Sequence, residues 1–112
     1  MIDDTLGNRK HPRCKDQLPV TVDGKRGCTI NIGIGGMLAL IESQVSTMEP
    51  IVITIGLPEN IVKVDATCLR CEVKGDKYKV AIFFDETTFT RDDIEELRKY
   101  LNINETASLR LI

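Results

Sequence analysis

Short runs rich in valine, isoleucine and threonine alternate along the chain with glycine, proline, asparagine and aspartate, and that rhythm is its main structural signal. The runs cover 18–23, 27–32, 37–42, 50–57, 61–73 and 77–85. They predict strands, because β-branched side chains fit a pleated surface. Asp23-Gly24 and Gly75-Asp76 are tight-turn pairs, and Pro58-Glu59-Asn60 separates two β-branched runs, so successive strands are predicted to be antiparallel. Ile51, Ile53 and Ile55 alternate with Val52, Thr54 and Gly56, while Val80, Ile82 and Phe84 alternate with Ala81, Phe83 and Asp85. Some strands therefore carry two apolar faces, one for a barrel interior and one that needs a cover.

Near the end of the chain the period changes, and one helix is predicted from Thr90 through Asn102. Thr90 can cap the free amides, Asp93 three residues later completes a capping-box pattern, and Phe89 is placed to staple onto Ile94. Asp92, Asp93, Glu95 and Glu96 come early and Arg98 and Lys99 late, as the helix dipole favours, and Ile94, Leu97 and Leu101 form an apolar stripe that should cover the barrel. Strands first and helix last predict a mostly β domain, a six-stranded antiparallel barrel with a C-terminal helix. Residues 1–15 have no apolar period and read as a flexible arm in front of a domain over 16–102. Residues 103–112 read as a tail that ends in Leu109, Leu111 and Ile112, open to an edge strand, a partner contact or fraying.

With 112 residues, 42% of them hydrophobic, the chain can build one core and not two. The formal net charge of -2, the 4% aromatic content and the absence of tryptophan argue against a nucleic-acid polymer as partner. A run of about 18 apolar residues is missing, so no membrane association is expected, and the polar, acidic start of the chain points to the cytoplasm. Cys14, Cys28, Cys68 and Cys71 are then expected to be reduced. Cys68 and Cys71 have CxxC spacing, but residues three apart on a regular strand point to opposite faces, so no metal site is expected.

Catalysis has little to work with. His11 is the only histidine and lies in the arm, and the Gly33, Gly35, Gly36 turn lacks the lysine and hydroxyl pair of a phosphate loop. The expectation is a binding protein with no catalytic residues and no cofactor. Arg9 and Arg13 are four residues apart in a segment that Pro12 biases towards extended backbone, which separates them by roughly 13 Å. Each guanidinium can fork onto a phosphate or a guanine edge, or stack on a purine. Asn31-Ile32-Gly33-Ile34-Gly35-Gly36 offers an amide suited to a base edge, followed by glycines that permit positive φ and close backbone approach.

In this order the two segments resemble the signatures of the PilZ domain family, an RxxxR arm followed by a [D/N]xSxxG turn. Leu18-Pro19-Val20, Gly36-Met37-Leu38-Ala39-Leu40, Val80-Ala81-Ile82-Phe83-Phe84 and the final helix extend the resemblance over about residues 8–102. Membership implies a PilZ-like barrel and cyclic di-GMP as ligand, with Arg9 and Arg13 clamping guanine and phosphate groups. It implies a floor made by Asn31, Gly33 and Gly36, and it puts Arg70 at a strand position that faces a guanine. The arm would order over the ligand and signal to a protein partner. Gly33 stands where the family has serine, so one hydroxyl contact is lost. The alternative function is a degenerate PilZ-like domain that has no nucleotide and serves as a protein interaction module.

Overall fold

The computed structural model describes residues 17–110, and side chains through Asn102. Six strands follow one another as β1 (Pro19–Val22), β2 (Lys25–Ile32), β3 (Gly36–Ile41), β4 (Pro50–Gly56), β5 (Ile61–Lys74) and β6 (Lys77–Phe84). They close into an antiparallel barrel in the order β1-β2-β3-β6-β5-β4. The turn chemistry accounts for the hairpins. Asp23 and Gly24 both have positive φ, 54° and 81°, as a type I′ turn requires, and Gly75 at the first loop position of the β5–β6 hairpin has φ 68°. Val22 pairs with Lys25 and Lys74 with Lys77, so both are two-residue loops.

Of the two alternating sets on each of β4 and β6, Ile51, Ile53 and Ile55 and Val80, Ile82 and Phe84 face the barrel interior. Val20, Val22, Ile53, Ile55, Val62, Val64, Val80, Ile82 and Phe84 are all buried. Two bulges interrupt the ladders, with Ile30 as the extra residue on β2 and Leu69 on β5. The bulge at Leu69 overturns the alternation expected for the cysteine pair. Cys68 lies opposite Ile82 and Cys71 opposite Val80, so both point inward and pack with the core. Cys68 is fully buried, and burial pushes its thiol pKa up; its Sγ–H donates to the Arg70 carbonyl oxygen at 3.2 Å. Both thiols are free. Cys28 departs from the expectation of reduced thiols, since it is disulfide-bonded. Cys14 lies outside the described residues.

A 3₁₀ turn (Glu86–Thr88) leads from β6 into α1 (Arg91–Arg110). The helix begins as expected, with Asp93 N–H donating to Thr90 Oγ1 at 3.1 Å, but it runs through Arg110 and takes in most of the segment read as a tail. No proline or glycine lies between Asn102 and Arg110 to stop it. Leu97 is fully buried on the barrel, flanked by half-buried Ile94 and Leu101. Two contacts join the start of the helix to the barrel. The Asp93 carboxylate accepts from the Lys63 N–H of β5 at 3.1 Å, and the Phe89 ring meets Phe84 edge-on, with centroids 5.9 Å apart and planes at 84°. Asp93 thus ties the first helical turn to the sheet. Asp93→Ala is expected to lower stability by about 1 kcal/mol and Asp93→Asn by less, because the amide keeps an acceptor. Thermal melts of the two variants compare them directly.

Candidate ligand-binding face

Strand register brings together residues far apart in sequence. Asn31 pairs with Leu38, Leu38 with Ala81, and Ala81 with Arg70, so these four form one row across β2, β3, β6 and β5 on the outer surface. Asn31 and Arg70 are exposed at its two ends. Three strand spacings of about 4.8 Å put them roughly 14 Å apart, with half-buried Leu38 and small Ala81 as a low floor between. The bulges help to set this row. Without the extra residue at Leu69, Arg70 would turn inward, and Ile30 does the same service for Asn31.

The next row towards one end of the barrel is Gly36, Phe83 and Thr67. Gly33 closes the turn beside it, donating its N–H to the Gly36 carbonyl at 2.9 Å. None of Gly33, Gly35 and Gly36 has positive φ, so left-handed backbone is not why glycine occurs there. Gly36 is needed for close approach, since a Cβ would collide with the Ile82 carbonyl oxygen. Gly33 is different. A Cβ there meets nothing within 4 Å, which leaves room for a hydroxymethyl group.

On the other side of the Asn31 row lie Cys28, Leu40, Lys79 and Glu72. Glu72 pairs with Arg70, Oε2 to Nε at 3.3 Å, both more than half exposed. Such a pair contributes at most about 1 kcal/mol, so a phosphate can compete for the guanidinium. Arg9 and Arg13 lie outside the described residues. The place where their segment joins the barrel is fixed, because Leu18 N–H donates to the buried Thr29 Oγ1 at 3.0 Å and Thr29 N–H donates to the Leu18 carbonyl at 2.9 Å. Thr29 is two residues before Asn31, so the chain enters the barrel next to this face. Leu18 follows Arg13 by five positions, a reach of at most about 17 Å.

Two neighbours of the face escaped the sequence reading. Phe83 is 58% exposed, although its strand face was expected to be covered by the helix, which packs on β5 instead. Glu86 follows in the 3₁₀ turn, and its Oε2 lies 3.6 Å from where a Cβ on Gly35 would stand. Alternation with buried Phe84 was the available signal for Phe83. Glu86 had none, since its position depends on how β6 ends.

Among the described residues no group of three or more His, Cys, Asp or Glu could hold a metal ion, and no helix is long and apolar enough to cross a membrane. No family model matches the sequence, and no curated protein matches it. Among solved structures, the chain is similar to the Bacillus subtilis inhibitor of motility (MotI/DgrA), with a TM-score of 0.67 and 20% identity over 91% of this chain. The chain spans about half of that protein, 53% of its length, and the likeness is one of fold: a closed six-stranded antiparallel barrel with a C-terminal helix.

Proposed function

We propose that the chain is a PilZ-like receptor domain for cyclic di-GMP in the cytoplasm, which signals to a protein partner when ligand draws the Arg9 and Arg13 segment onto the barrel. The supporting observation is the single row from Asn31 to Arg70 beside the Gly33–Gly36 turn. An amide that donates and accepts stands at one end and a guanidinium at the other, and the floor between is low enough for flat bases. A dianionic ligand offers phosphates to several guanidinium groups at once, so a local arginine cluster can hold it although the chain carries a net charge of -2. The anchoring of Leu18 on Thr29 keeps Arg13 within reach of the same face. The fold likeness to an inhibitor of motility is in keeping with a regulatory, non-catalytic role.

Gly33 supports the second reading, a module that binds protein and not nucleotide, because the serine hydroxyl of the family is missing. The open space at Gly33 makes the choice testable. In calorimetric titrations of the full chain with cyclic di-GMP, the wild type is expected to give heat. Asn31→Ala and Arg70→Ala should each weaken binding by about tenfold, and Gly33→Ser should strengthen it about fivefold with an unchanged melting temperature. A silent wild type together with a binding Gly33→Ser variant establishes the interaction module instead. Silence of both ends the nucleotide reading.

A further inference from the structure

The end of β6 and the 3₁₀ turn that follows it form an open cleft lined by Thr67, Phe83, Phe84, Asp85 and Glu86. We infer that this cleft is a guanine subsite, in which the Phe83 ring stacks on the base and the Glu86 carboxylate accepts from its N1–H and exocyclic amine. The inference rests on the nucleotide reading above and adds to it the residues that select guanine over adenine.

Phe83 is the only exposed aromatic side chain among the described residues. Its row neighbours leave the ring open, since Gly36 on one side has no side chain and Thr67 on the other is small. Stacking needs such a bare platform, and it accepts any base. Selection must therefore come from the edge. Among the described residues no hydrogen bond or ion pair occupies the Glu86 carboxylate, whereas Asp85 Oδ1 is committed to the backbone N–H and hydroxyl of Thr87, at 3.2 and 2.7 Å. Glu86 is thus the free acceptor next to the ring. Guanine presents two donors side by side on its Watson–Crick edge and matches a carboxylate with both. Adenine presents an amine beside an unprotonated N1, whose lone pair would face a carboxylate oxygen.

The acidic groups also set direction. Phosphates are repelled from Asp85 and Glu86 and attracted to Arg70, which lies one row away along the strands, about 7 Å. One nucleotide can then place its base in the cleft and its phosphate towards Arg70. Gly35 borders the same arrangement, since a Cβ there would stand 3.6 Å from the Glu86 carboxylate, at ordinary contact distance.

The experiment is calorimetric titration of the full chain, wild type and variants, with cyclic di-GMP and with cyclic di-AMP, alongside melting curves. Glu86→Gln is expected to weaken cyclic di-GMP about tenfold and leave cyclic di-AMP unchanged or stronger, since the amide swaps an acceptor for a donor. Phe83→Ala should weaken whatever binds by about tenfold, and Phe83→Leu nearly as much, with melting temperatures close to wild type because the ring is exposed. Cyclic di-GMP binding that needs Asn31 but is unmoved by both Phe83→Ala and Glu86→Gln would overturn the subsite and leave the proposed function standing. A wild type that binds neither nucleotide overturns both.

Discussion

Replacing Phe84 by alanine is expected to remove about 3–5 kcal/mol of folding stability, a large part of the total for a domain of this size. The side chain is 1% exposed at the end of β6, the largest fully buried group in the barrel. Its ring meets Phe89 edge-on, and Phe89 stands just before the helix cap, so the same contact joins the barrel floor to α1. Phe84 N–H also donates to the Gly35 carbonyl at 2.9 Å, which holds the glycine turn against β6. Loss of the ring leaves a cavity between barrel and helix, and the cost lies above a simple transfer of apolar area because the surrounding strands relax little. Urea unfolding compares it with Phe83→Ala, one residue away and exposed, which should shift the midpoint by only a small fraction as much. A shift as large or larger for Phe83→Ala would mean that Phe83 is not on an exposed face of β6.

The positions of the strands were legible because their signals are local. The β-branched runs, the Asp23-Gly24 and Gly75-Asp76 turns and the Thr90 cap each depend on residues adjacent in sequence, and the structure has them within a residue or two. Signals that depend on a partner strand were not legible. The bulge at Leu69 exists only relative to β6, yet it decides that Cys68 and Cys71 share a face and that Arg70 points outward. The closure of the barrel through β1 and β4 is of the same kind, since Val20 pairs with Ile55 across a long stretch of chain.

The candidate site shows the same division. Asn31 and the glycines could be found as a motif, but the common row with Arg70 follows from three successive registers that no periodicity contains. Phe83 stands out in the sequence as part of a second apolar face, for which the helix is the expected cover. The helix packs Ile94, Leu97, Tyr100 and Leu101 against the core, and Asp93 pins its first turn to β5 at Lys63, away from Phe83. Reduced cysteines are what the expected compartment implies, and Cys28 departs from that.

Gly36→Ala is expected to cost about 2–3 kcal/mol and to lower the melting temperature by roughly 10 °C or more, while Gly33→Ala leaves it within a few degrees. The two glycines belong to one sequence motif but meet different surroundings. A Cβ on Gly36 would run into the Ile82 carbonyl oxygen and come within 3.5 Å of the Phe83 Cα, and backbone atoms in a closed barrel cannot step aside as a flexible side chain would. The β3–β6 ladder must open at that point. Gly36 pairs with Phe83, so the opening displaces the ring and the glycine turn together, and nucleotide affinity should fall along with stability. At Gly33 there is free space, and any change in affinity on adding a methyl or hydroxymethyl group reports contact with the ligand and not a distorted barrel. Differential scanning calorimetry of both alanine variants, with and without cyclic di-GMP, separates the cases. A Gly36→Ala protein that melts like the wild type would mean that β3 and β6 do not approach as closely as their pairing requires, and the row from Asn31 to Arg70 would lose its basis.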